Sequence, residues 1–154
     1  MTRESPSDLQ NQRRRAMEAF ARADRRELED GLEDLMARKT WSYLRPPEVG
    51  LVMARGRTGG SGAPFNLGEL TVTRCAVALE DGGTGHALVM GRDRERTRLA
   101  ALADAFWQHA DSRDAVESRI IEPVLARLQT EDRRVGAETA ATKVDFFTLA
   151  RGED

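Results

Sequence analysis

Cysteine, histidine, lysine and aromatic side chains are all scarce in this chain of 154 residues. Cys75 is its one cysteine, so no internal disulfide can form, and His86 and His109 are its two histidines. No Cys/His set has the spacing of a structural zinc site, and a chemistry built on a His-centred triad has little to draw on. Long apolar runs are missing too: none approaches the ~20 residues that a membrane-spanning helix needs. The first eight residues are polar, with no apolar signal region behind them. A soluble, unexported, cytoplasmic protein is expected, without contact to a membrane. Nor is there an excess of one charge, because 24 Lys and Arg stand against 26 Asp and Glu. That balance argues against general nucleic-acid binding, which rests on many uncompensated phosphate contacts.

What is present suits one globular unit over residues 1–154. The chain is 40% hydrophobic and 32% charged, and a chain of this size buries roughly two-thirds of the surface it exposes when unfolded. Lys39 and Lys143 are the only lysines, so the bases are almost all arginine. Arginine suits bidentate recognition of phosphate and carboxylate, although coding composition produces the same bias.

The apolar spacing predicts an α+β fold. Residues 8–23 read as a helix with Leu9, Met17, Phe20 and Ala21 on one stripe. Asp24 stands three residues before Glu27, a capping-box spacing for a second helix carrying Leu28, Leu32, Leu35 and Met36. A helical hairpin therefore fills residues 1–40. Residues 41–92 read as a meander of three or four antiparallel strands: a short one over 41–44, a break at Pro46 and Pro47, another over 50–55, a glycine-rich connection over 56–68, a long strand over 69–79, and its hairpin partner over 84–90. In the long strand Thr71, Thr73, Cys75, Val77 and Leu79 share one face, and Leu70, Val72, Arg74, Ala76 and Ala78 the other. Helices return over residues 93–154. Asp93 caps one with Leu99, Leu102 and Phe106 on one side, and Pro123 interrupts the next. Residues 144–149 have the composition of a short final strand.

The densest chemical signal is the glycine-rich segment. Successive backbone N–H groups around Gly59, Gly60, Ser61 and Gly62 can form an anion-binding concavity, and Arg55 and Arg57 add charge beside it. No acid occurs between Glu48 and Glu69, yet the segment lacks the Lys-Ser/Thr ending of a P-loop and lies between strands. A flexible connection whose glycines satisfy backbone geometry explains the same residues. Cys75 reads as a buried, inert thiol, and His86 and His109 as structural or exposed. Arg74, on an otherwise apolar strand face, must find an anion or reach solvent. Asp145, Phe146 and Phe147 pose a similar question, since adjacent aromatics on a strand face opposite ways, one of them toward a partner or both into a two-sided core. Catalytic residues are not identifiable from these patterns, and no metal site is expected.

In their order and spacing, several short motifs resemble a known family. They are Glu48-Val49-Gly50-Leu51-Val52; Arg57 with Gly59-Gly60-Ser61-Gly62; Phe65-Asn66-Leu67-Gly68-Glu69; Thr71-Val72-Thr73-Arg74-Cys75-Ala76-Val77; Gly91-Arg92-Asp93; and Val144-Asp145-Phe146-Phe147-Thr148 with Arg151-Gly152. The family is the G subunit of the bacterial carbon-phosphorus lyase system for phosphonate use (PhnG). The resemblance runs from Trp41 to the end of the chain, and more loosely through Met17, Ala21 and Glu27-Leu28. It implies a small subunit of a core assembly of G, H, I and J subunits. That system makes α-D-ribose 1-methylphosphonate 5-triphosphate by displacing adenine from ATP with methylphosphonate. In the family the I subunit carries the nucleosidase-like chemistry, G, H and L are required beside it, and J performs the radical cleavage of the carbon–phosphorus bond. The lack of an iron–sulfur cysteine set in this chain fits that division. The expectation is an accessory subunit with no cofactor of its own and ATP as substrate of the complex. Arg55, Arg57 and the Gly59–Gly62 turn are then expected at the triphosphate or the partner surface beside it. A stand-alone nucleotide- or phosphate-binding protein is the rival reading, and a nucleic-acid module a weaker one.

Overall fold

The computed structural model describes residues 6–141. Helices α1 (Pro6–Arg22) and α2 (Arg25–Arg38) form the expected opening hairpin. The backbone N–H of Asp24 donates to Glu27 Oε2 at 2.7 Å, which fixes where α2 begins. Leu28 and Leu32 are fully buried, with Leu35 and Met36 packed beside them. The buried stripe of α1 differs from the expected one: it is Ala16, Ala19 and Phe20, continued by Ala23 just past the helix, while Leu9 is left 40% exposed. Small residues at that spacing let α1 lie close to the rest of the core, which a bulkier stripe would hold off.

Three strands follow, β1 (Trp41–Arg57), β2 (Pro64–Leu79) and β3 (Thr84–Met90), antiparallel in the order β1-β2-β3. The bounds of β3 are those expected. Two expectations fail in β1 and β2. The prolines do not divide β1, because it is an edge strand and Pro46 and Pro47 fall where its register slips, between Arg45 and Glu48. At such a place no amide is owed to the ladder. Most of the glycine-rich connection is also strand. Ala54 pairs with Gly68 and Arg55 with Asn66, so Leu67 is the extra residue of a bulge, and only residues 58–63 turn. The pairs from Leu51–Thr71 outward have no third strand beside them, since β3 ends opposite Val72. They form a two-stranded arm on the order of 20 Å long.

Helix α3 (Arg94–Gln108) is the centre of the core, and every residue from Leu99 through Trp107 is buried. Asp93 caps it as expected, its carboxylate accepting from the Arg96 N–H at 2.9 Å. On one side α3 meets the sheet so closely that a Cβ on Gly85 would lie 2.0 Å from the Ala101 carbonyl oxygen. The sheet face turned to it buries Thr73, Cys75, Val77, Leu79 and Val89, while the outer face leaves Leu88 and Met90 more than half exposed. Helix α4 (Ala110–Val116) runs into a π turn (Glu117–Ile121) and then α5 (Glu122–Ala141). Pro123 has no N–H to donate back, and the expected interruption takes the form of this widened turn. Arg127 bolts α5 to α2, its Nε and Nη2 donating to the two carboxylate oxygens of Glu27 at 2.8 and 2.9 Å. After Leu128 the side chains of α5 are exposed as far as residue 139. Among the described residues no helix is long and apolar enough to cross a membrane. The expected final strand over 144–149, with Asp145, Phe146 and Phe147, falls outside the described residues.

Candidate functional site

The arm ends in the segment that the sequence singles out. Arg55 and Arg57 occupy alternate positions of β1 and so project from the same face, opposite Asn66 and Pro64. Arg55 Nε donates to Asn66 Oδ1 at 3.3 Å, and Arg57 Nη1 donates to the Gly62 carbonyl at 3.2 Å. Both partners are neutral, and among the described residues no carboxylate compensates either guanidinium. The turn itself is a short 3-10 segment, Thr58–Gly60, with Gly59 at φ 61°. Glycine is needed there because side-chain-bearing residues rarely adopt that conformation. It is needed at Gly62 for space, since a Cβ there would sit 2.7 Å from the Thr58 carbonyl oxygen. The N–H groups of Ser61 and Gly62 both donate to that same oxygen, the latter at 3.0 Å. Those two amides are used within the turn, so the attraction for an anion rests on the arginines, each of which keeps free donors toward solvent.

Arg74 is not brought to this place. It lies ten residues along β2 from Pro64, about 30 Å away. Its Nε and Nη2 donate to Glu48 Oε2 at 3.2 and 3.1 Å, so the arginine on the apolar face has found its anion across the ladder. Both side chains are about half exposed, and such a pair contributes about 0–1 kcal/mol.

The other reactive groups are occupied structurally. Cys75 is buried, its thiol donates to the Arg45 carbonyl at 3.4 Å, and burial pushes its pKa up to about 11. His86 is exposed on β3. His109 Nε2 donates to the Gly82 carbonyl, beside a surface cluster in which Lys39 Nζ lies 2.7 Å from Asp81 and 3.1 Å from Asp111. Asp104 is a fully buried carboxylate that the sequence reading missed. It accepts from Arg13 Nε and Nη2 at 3.1 and 2.8 Å and from the His86 backbone N–H at 2.9 Å, so every part of it serves the joint between α1, α3 and β3. An acid within the alanine-rich stretch of α3 was the signal available. Among the described residues no group of three or more His, Cys, Asp or Glu side chains is placed to hold a metal ion.

A second feature missed from the sequence is the apolar content of the arm, where Leu51, Met53, Phe65 and Leu67 are each 45–63% exposed. The signal was there: alternate positions of 51–54 are apolar on both faces, which a strand lying against one core does not need.

Two comparisons with known proteins bear on the chain as a whole. A sequence model of the phosphonate metabolism protein PhnG matches residues 11–152. Subunit PhnG of α-D-ribose 1-methylphosphonate 5-triphosphate synthase from Rhizobium meliloti (strain 1021) is 50% identical over 143 residues, covering 93% of this chain and 91% of the relative. The family model covers most of the chain, the relative is half identical over nearly its full length, and this chain belongs to the PhnG family of phosphonate metabolism proteins.

Proposed function

We propose that this chain is an accessory subunit of the carbon-phosphorus lyase core complex, supporting formation of α-D-ribose 1-methylphosphonate 5-triphosphate from ATP and methylphosphonate with release of adenine. The observation that carries this is the 50% identity, over nearly the full length of both chains, to a subunit of the synthase of that name. The chain works in the cytoplasm as part of a hetero-oligomer with the I, H and J subunits, and L acts beside them. It binds no cofactor of its own, and ATP enters as substrate of the complex. The catalytic groups belong to the I subunit. Support for that division comes from this chain's reactive side chains: the Cys75 thiol is buried with its pKa raised, and the Asp104 carboxylate is saturated by three donors. Neither is free to act as nucleophile or general base.

Arg55, Arg57 and the Gly59–Gly62 turn meet the triphosphate or the partner surface beside it. The two uncompensated guanidiniums on one face of the arm support this. Asp145, Phe146 and Phe147 add a partner contact. The test is Arg57→Ala in the reconstituted complex, with assembly and ATP-dependent turnover measured together. Loss of one charge-assisted contact, about 1.5–3 kcal/mol, lowers turnover or assembly about ten- to a hundredfold. Wild-type values for both would remove the arm tip from the site.

A further inference from the structure

The arm carries apolar side chains on both of its faces. Ladder partners point the same way and successive residues alternate. Leu51 and Met53, opposite Thr71 and Glu69, therefore share one face, and Val52 and Leu70 share the other. Phe65, opposite Gly56, continues the second face, and Leu67 lies against Gly56, its Cδ1 only 2.9 Å from where a Cβ would be. These six side chains are 37–63% exposed. A two-stranded ribbon in water is marginally stable at best, and contiguous apolar surface of this kind marks an interaction site. A flat partner laid on one face would leave the other in water. Only a cleft closing on both covers Met53 as well as Leu67.

Charge then selects the occupant. Arg55 and Arg57 at the far end have neutral partners only, so the surface that receives them is acidic. A second copy of this chain supplies too little: Glu48 is already paired with Arg74, and the one carboxylate on the arm, Glu69, stands against two arginines in each copy. We infer that the arm inserts into an apolar cleft of a different protein subunit, whose far wall presents carboxylates to Arg55 and Arg57. This rests on the reading of the chain as a synthase subunit.

The experiment uses the full chain co-expressed with the other synthase subunits, with incorporation measured by native mass spectrometry. Met53→Glu and Leu67→Glu place a charge on opposite faces of the arm at exposed positions, and Val135→Glu on the exposed part of α5 is the control. Each arm variant is expected to cut incorporation about thirtyfold or more, the effect of losing a central interface side chain, while keeping the wild-type circular dichroism and melting temperature. Val135→Glu is expected to incorporate normally. Arg57→Ala weakens assembly in the absence of ATP, as carboxylate contacts require; weakening only when ATP is present would make the anion a triphosphate and overturn the acidic wall. An effect from one face alone overturns the cleft, and no effect from either overturns the docking. A dimer of the isolated chain that Leu67→Glu dissolves overturns the choice of partner. Wild-type chain that stays free of every other subunit overturns the functional reading itself, which separates that failure from those of the arm.

Discussion

Cys75 and Asp104 are both buried and pose opposite problems of burial. The thiol is comfortable as a neutral group, and its pKa of about 11 leaves little thiolate at neutral pH. Iodoacetamide at pH 8 should therefore alkylate the native protein at least about a hundredfold more slowly than the urea-unfolded chain; equal rates would mean the thiol is not enclosed. Asp104 is a carboxylate buried in the same core, and three donors take up its two oxygens. Asp104→Ala leaves the Arg13 guanidinium and the His86 amide without their acceptor and should destabilise the protein by about 2–4 kcal/mol in urea unfolding. A loss under 0.5 kcal/mol would contradict that role. The fate of Cys75 was legible because strand alternation puts it between Thr73 and Val77, and the need of Arg74 for an anion followed from its apolar face. Asp104 was not legible. Its partner Arg13 is 91 residues away, and nothing local reports a pairing of that range.

Elements are joined by a small number of such long-range contacts, and the joint between α2 and α5 shows how pH acts on them. The Arg127 guanidinium holds the Glu27 carboxyl below its ordinary pKa, with the Asp24 N–H adding to the effect and burial opposing it. A carboxylate with a depressed folded-state pKa contributes stability that is fully present above its unfolded value, about 4.3, and is lost as pH falls through the folded value. Glu27→Gln should cost about 1–2 kcal/mol at pH 7 and flatten the decline in stability below about pH 5, read from urea midpoints against pH. An unchanged profile would remove Glu27 from the acid transition. Where α3 meets the sheet, Gly85→Ala should cost more than about 3 kcal/mol, since the added methyl meets backbone that cannot rotate away. Helix starts at Asp24 and Asp93 and the bounds of β3 were legible from capping residues and turn glycines. The continuity of β1 was not, because the tolerance of Pro46 and Pro47 depends on its being an edge strand, a property of topology. The arm was hidden likewise, since Gly56, Gly59 and Gly62 read locally as a connection.

As a molecule, the chain divides into a helical body around α3 and an arm that buries little within this chain. Its near-zero charge conceals that asymmetry. Acids and arginines are paired across the body, as in Arg13–Asp104 and Arg127–Glu27, while Arg55 and Arg57 at the arm tip have neutral partners only. The exposed apolar and uncompensated charged groups of the arm are presented outward. The family was legible from motif order, and many of the motifs that carry it, Glu48 to Val52 and Arg57 to Glu69, lie on or beside the arm. The decisive measurement is the mass of what co-purifies when this chain is co-expressed with the cognate I, H and J subunits, read by native mass spectrometry. An accessory subunit appears in stoichiometric amount in the complex, and the purified complex turns over ATP and methylphosphonate with release of adenine. A free, monodisperse chain that ignores all three, with ATP binding of its own by calorimetry, would contradict the assignment.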